Sequence, residues 1–412
     1  MIIRILLVLS FVACLSSSLL AGDWPQILGP TRNGLAAADE KLADSWPSEG
    51  PPVLWQRKVG GGFSGLAVTQ GTAILFHREG DEEIVGALDA ATGEKKWESA
   101  SPTAFSSGFS DDQGPRCTPI IVGDRVIVFG VQGVLRCLDL KSGKQHWQRA
   151  THTEFKAPEG YFGAGSTPIA IGNKLLVNVG ANKGNAGIVA FDIATGKTVW
   201  QSTDEQASYS SPAVTTEDGV KHALFVTRLK TVSLDPDSGK VRFEFPFGKR
   251  GPTVNAATPL VVDGHLFVTA HYGVGAVFAK LGHDTADHIW DSDDILSSQY
   301  MTPLVLSNLI YGIHGQERLD ESELRCVDPR AKKVLWSKPG FGFGAMIAAD
   351  GKALALTTEG ELILWRPNAQ KYQELARTRL FRSTSRAIPA LSNGRLFVRD
   401  STTLKCVQVA RP

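Results

Sequence analysis

Beyond residue 60 the chain alternates short apolar runs with clusters of Gly, Asp, Asn and Pro, and it keeps that rhythm to its end. Val126-Ile-Val-Phe129 and Leu175-Leu-Val-Asn178 are typical of these runs. They are too short for helices, rich in β-branched residues and bounded by turn formers, so each reads as a strand. The runs are themselves grouped. A Thr-Pro pair or its substitute precedes an apolar run, a Gly or Asp turn and a second apolar run, with the Pro-equivalent at Gly65, Pro119, Pro168, Pro212, Pro259, Pro303, Met346 and Pro389. The markers recur about every 46 residues, the length of four strands with their turns, which is one blade of a β-propeller.

A second repeat follows each marker. Ala87-Leu-Asp-Ala-Ala-Thr-Gly-Glu-Lys-Lys-Trp97, Cys137-Leu-Asp-Leu-Lys-Ser-Gly-Lys-Gln-His-Trp147 and Ala190-Phe-Asp-Ile-Ala-Thr-Gly-Lys-Thr-Val-Trp200 are one unit, Ala-x-Asp-x-x-Thr-Gly-x-x-x-Trp. Weaker copies run from Ser233 to Phe243, from Ala279 to Trp290 with one extra residue, and from Cys326 to Trp336 with Lys332 in place of Gly; a degenerate copy runs from Leu364 to Leu375. The aspartates Asp89, Asp139 and Asp192 are expected to accept turn N–H groups, and Gly93, Gly143 and Gly196 to supply a positive φ. Trp97, Trp147, Trp200, Trp290 and Trp336 are expected to dock against the neighbouring blade, each contributing roughly 4–6 kcal/mol before entropy if fully buried.

The expected fold is therefore all-β: an eight-bladed propeller of four-stranded antiparallel blades. The last blade has room for three strands only, whereas Trp55 stands near the N-terminus with no strands before it. Residues 53–59 are thus expected to close the ring as the outer strand of the last blade, leaving 23–52 as a leader and 23–412 as one domain.

Composition limits the function. Hydrophobic residues make up 42% and charged residues 21%, with a net charge of +1, so the chain has apolar surface to bury and no electrostatic footprint for nucleic acid. Arg4, the apolar run Ile5–Cys14 and the small residues 16–22 have the layout of an export signal, giving a signal peptide at 1–22 and a place in the periplasm or cell envelope. The rival cleavage leaves Cys14 as a lipidated end. No later segment has the ~18 apolar residues of a spanning helix. Cys137, Cys326 and Cys406 occupy one repeat position, where Ala87 and Ala190 stand in other copies, and are expected as small buried strand residues and not as disulfide partners.

The docking unit resembles the tryptophan-docking repeat of the PQQ-like propellers, a family that spans quinoprotein alcohol dehydrogenases and BamB-like outer-membrane assembly proteins. Trp24-Pro-Gln-Ile-Leu-Gly-Pro-Thr-Arg-Asn-Gly34 resembles an element that precedes propellers in an exported branch of that family. In the quinoproteins the resemblance implies PQQ between a Trp and a disulfide of adjacent cysteines, with Ca²⁺ held by Glu, Asn and Asp. This sequence has no adjacent cysteines and no Cys-x-x-Cys-His haem motif.

Other motifs are accounted for by the frame. Ala194-Thr-Gly-Lys-Thr198 lacks the first glycine of a phosphate loop and is the docking turn. Asp291-Ser-Asp-Asp294 lacks the glycine and distal Glu of a calcium loop, and Gly62-Phe-Ser-Gly-Leu66 is not a nucleophile elbow. His283 and His288 give no zinc pattern, and no metal is predicted. The chemistry-bearing candidates gather just before the strand A markers, at one funnel mouth: Arg116, Tyr209, Asn255, Gln299, Tyr300 and Arg386, with Phe63 and Phe343 among them and Asp111, Asp112, Tyr161 and Arg382 in preceding loops. Two arginines beside aromatic rings suit a carboxylate, a sugar or a peptide end. The expected function is a noncatalytic, monomeric binding or scaffolding propeller without a cofactor, BamB-like in architecture, holding an envelope protein or small ligand. The alternative is a PQQ-dependent oxidoreductase, with PQQ and Ca²⁺, acting on alcohols or sugars.

Overall fold

The computed structural model describes residues 22–251, 253–317 and 322–411. The expected signal segment, apart from Gly22, lies outside them, as does Cys14.

Thirty-two strands form eight four-stranded sheets, each antiparallel and ordered A-B-C-D from the inside outward. Blade 1 comprises Ala67–Thr69, Thr72–Glu79, Glu82–Asp89 and Lys95–Pro102. Blade 8 comprises Ala390–Ser392, Arg395–Arg399, Thr403–Gln408 and, as its outer strand, Val53–Lys58. Trp55 stands opposite Cys406 and Lys58 opposite Thr403, so the ring closes by backbone pairing as expected.

Successive side chains of a strand point to opposite faces, and both faces of a blade meet a neighbour. Strand B of blade 2, Arg125–Phe129, shows the result. Val126 and Val128 join the cluster shared with blade 1, whereas Ile127 and Phe129 join the one shared with blade 3. Such strands read as continuous apolar runs because neither face is wet. Cys117, Cys137, Cys326 and Cys406 are all buried free thiols.

The docking unit does what its residues suggest. Asp89 Oδ1 accepts from the backbone N–H groups of Ala91 and Thr92 at 2.9 and 3.1 Å, and Gly93 has φ +74°. A Cβ on Gly93 would lie 2.7 Å from the Trp55 ring, so glycine serves both the turn and the close approach of the neighbouring indole. Each indole also donates to a backbone carbonyl of the next blade: Trp55 to Ala90, Trp97 to Leu140, Trp147 to Ile193, Trp200 to Pro236, Trp290 to Pro329 and Trp336 to Asn368. Of these six indoles Trp290 alone is buried, at 8% exposed. The others keep one edge in solvent, so the burial gain of a fully buried ring is an upper bound for them.

Pairing corrects two repeat positions. Every blade carries a bulge on strand D just before the docking position. Trp290 faces Phe278 and not Ala279, and in blade 7 Ala376 faces Leu364, which makes Leu375 the bulged residue. Blade 7 thus presents a methyl group where other blades present an aromatic ring. Leu42 and Trp46 of the leader pack into the same cluster as Leu375 and Ala376, filling the seam that an indole covers elsewhere.

Candidate functional site

The connections from strand D to the next strand A, and the B-to-C turns, converge over one end of the central channel. A cavity of about 1090 Å³ lies beneath them. Its floor is supplied by the leader through Ile27. Trp24 exchanges two 2.8 Å backbone hydrogen bonds with Val68, Pro25 accepts from Ile121 N–H, and Gly34 accepts from Ala348 N–H. The leader therefore pairs with the inner edges of blades 1, 2 and 7. Arg32, 3% exposed, donates to the carbonyls of Thr167 and Pro168 at 2.9 and 2.8 Å and thereby adds blade 3. Burial pulls its pKa down to about 9, which leaves it a cation at neutral pH, held by carbonyls. The channel is thereby a funnel open at the opposite face.

Five of the six candidate residues line this cavity: Arg116, Tyr209, Gln299, Tyr300 and Arg386. Asn255 does not. It is 2% exposed, and its amide donates to the carbonyls of Thr227, Arg228 and Phe247, so it ties a blade-4 turn to the connection after it. Among the secondary candidates Phe63, Asp111 and Asp112 are on the wall. Phe343 lies buried behind Tyr300, their ring centroids 4.7 Å apart. Tyr161 borders a smaller adjoining cavity, and Arg382 is on neither wall.

The two arginines flank one ring, with their guanidinium carbons 4.6 Å (Arg116) and 5.0 Å (Arg386) from the Phe63 centroid. Each already holds a carboxylate. Arg116 Nη1 is 2.8 Å from Asp112 Oδ1, and Asp112 Oδ2 accepts from Gly62 N–H at 2.8 Å. Arg386 Nη2 is 2.9 Å from Glu317 Oε1, while the Tyr300 hydroxyl donates to Glu317 Oε2 at 2.8 Å. Burial lowers the Arg116 pKa against the pull of Asp112. Burial also acts to lower that of Arg386, but Glu317 and Tyr300 outweigh it and the net shift is upward. Burial and then the Glu317 charge raise the Tyr300 hydroxyl well above its ordinary value. A ligand carboxylate would share these arginines with Asp112 or Glu317, or exchange for one of them. Hydroxyl-bearing or aromatic groups need no such exchange.

Glu317 was not a sequence candidate, because it sits in the B-to-C turn of blade 6 and not beside a strand A marker. Gln299 connects it to the wall by accepting from Glu317 N–H at 2.9 Å and donating to the Tyr272 hydroxyl at 2.8 Å. Phe109 was missed as well. It is 60% exposed at the rim, edge-on to Tyr161 at 4.8 Å. Phe162 continues this aromatic rim to Tyr209 at 5.6 Å.

A family profile described as outer membrane protein assembly factor BamB matches residues 80–338. The chain belongs to this family. The BamB of Burkholderia pseudomallei (strain K96243) is 23% identical over 241 residues, which are 57% of this chain and 58% of that protein, less than two thirds of its length. Among solved structures, BamB from Moraxella catarrhalis superposes with a TM-score of 0.60 at 17% identity, covering 87% of this chain and 97% of that one. Quinohemoprotein alcohol dehydrogenase from Comamonas testosteroni gives 0.65 at 14% identity, covering 95% and 81%. The structural likenesses establish the fold, which BamB and the dehydrogenase share.

The cavity's donor set does not fit the quinone and calcium of the dehydrogenases. Neither Trp nor Cys is among its lining residues, Asp112 and Glu317 are each engaged by an arginine, and no group of three or more His, Cys, Asp or Glu is placed to hold a metal among the described residues. No described helix is long and apolar enough to cross a membrane.

Proposed function

We propose that the chain is a noncatalytic binding or scaffolding propeller of the cell envelope, related in architecture to BamB, which holds a partner protein or small ligand at its open funnel. The observation that carries this reading is the pairing of charges on the funnel wall: Asp112 with Arg116, and Glu317 with Arg386 and Tyr300, with Asp111 exposed beside them. A general base needs a carboxylate free to take a proton, whereas Asp112 and Glu317 are each engaged by a guanidinium group. The same pairing leaves aromatic faces and hydroxyls as the wall's available contacts, which suits recognition. The relatives named as outer membrane protein assembly factors support the scaffolding half of the reading.

Crosslinking in the native envelope, followed by mass spectrometry of the purified mature chain, tests it. A reproducible protein partner or retained small molecule is expected from the wild type, with recovery reduced severalfold for Phe109→Ala. That substitution touches an exposed rim residue and should change stability by less than about 0.5 kcal/mol. Recovery of neither species would remove the reading.

A further inference from the structure

A second cavity, of about 260 Å³, lies beside blade 3 and shares Gly165 and Tyr209 with the funnel. Asn178, at the end of strand B of that blade, forms part of its wall, as do His152 of the short helix Thr151–Phe155 and Tyr161 of the following connection. Asn178 is 1% exposed, yet neither the oxygen nor the nitrogen of its carboxamide has a hydrogen-bond partner. Nδ1 of His152, 9% exposed, has none either. Three unmatched polar atoms on one small cavity run against the rule that buried polar groups are paired.

The fold itself does not demand an amide there. Strand B of blade 2 has the same length and ends on Phe129, a buried apolar residue at the position equivalent to Asn178. The opposite wall comes from the connection beginning at Thr203, a β-branched residue held at φ +67°, a conformation such residues rarely adopt without a reason elsewhere in the structure.

The unmatched groups are uncharged and two-sided, while Glu159 and Arg228 also border the cavity. The carboxamide offers two donors and an acceptor, and burial holds the His152 pKa down to about 4, so its imidazole is uncharged at neutral pH. Glu159 and Arg228 are of opposite sign, so the wall favours neither sign of ligand, and the unmatched groups themselves offer no counter-charge. A ring of hydroxyls both donates and accepts, and Tyr161 and Tyr209 add aromatic surface. Volume narrows the choice: the cavity has room for roughly nine waters, near what the ~12 heavy atoms of a hexose occupy, whereas one carboxamide group would leave most of it unfilled.

We propose that this side pocket binds a single pyranose ring, either a free sugar or the end unit of a glycan, through the Asn178 carboxamide and the His152 imidazole. The proposal does not rest on the scaffold role. The ¹⁵N-labelled mature chain is titrated with glucose, N-acetylglucosamine and maltose while the Asn178 side-chain amide resonances are followed. A saturable shift with at least one probe is expected. Glucose binding as tightly as maltose assigns the pocket to a free sugar, and tighter maltose binding assigns it to a glycan end. Asn178→Leu, similar in shape, should weaken binding at least tenfold and melt no lower than the wild type, because it removes an unmatched polar group. Should that variant not fold, His152→Phe replaces it with the same loss expected. No saturation by any probe, unaltered binding by the folded variant, or soaked crystals with only ordered waters on Asn178 would overturn the proposal.

Discussion

Individual residues here trade charge for position. His77 is 7% exposed and accepts from Gly60 N–H through Nδ1 at 2.9 Å, a bond that only the neutral ring can make. Burial, with Arg399 adding to it, holds its pKa down to about 4, and burial alone does the same for His152. In the unfolded chain both rings titrate near 6.5, so between about pH 6.5 and 4 the unfolded state binds more protons than the folded one. Their contribution is fully present above pH 6.5 and is lost as pH falls toward 4, on the order of 3 kcal/mol for each ring. Urea unfolding from pH 7.5 to 4 should show the midpoint falling through that window, and a flat midpoint would contradict the burial argument. Neither ring's role was legible in the sequence, since neither a histidine in a strand nor one in a short helix gives a sign of what its nitrogens meet. The same holds for Glu317: a turn residue without a repeat signature is tied to Arg386 by the closure of the ring and not by its neighbours in the chain.

Elements were far more legible. A four-strand period and a Trp-and-Gly docking unit impose local geometry, and local geometry is what a sequence encodes most directly. Seven strand A starts fall one or two residues after their markers, blade 7 starting instead at Gly344, two residues before Met346, and the closing strand spans Val53–Lys58 against the expected 53–59. What slipped was the alignment of the weakest copies, because a bulge before the docking residue moves the facing pair by one position. Trp97→Ala, which removes a half-buried ring and its hydrogen bond to Leu140, should cost about 2–3 kcal/mol in chemical denaturation while keeping a single transition. Deleting residues 50–60 should do something different in kind. With the outer strand of blade 8 gone, thermal unfolding should lose its single cooperative step, and an unchanged melting curve would refute closure by this strand.

At the scale of the whole molecule, the leader determines how the propeller is approached. A ring of eight blades has a channel through its axis, and the leader pairs along its inner edges, with Ile27 on the cavity wall and Arg32 anchored to blade 3. The wall that remains has no Trp or Cys among its lining residues. Mixing the protein with PQQ, Ca²⁺ and a panel of alcohols and sugars is expected to give no dye reduction, and tight PQQ binding would overturn the noncatalytic reading. The funnel's position was inferable from the repeat, but its floor was not, since the leader matches no blade and its contacts span the ring. The pairing of Val53–Lys58 with Thr403–Gln408 also bears on biosynthesis. Val53–Lys58 is matched with a strand made roughly 350 residues later, a wait of about 20–70 s at ordinary elongation rates. Until then a nascent chain exposes an unpaired strand edge, so a product of stalled or truncated translation carries its own mark for chaperones and proteases.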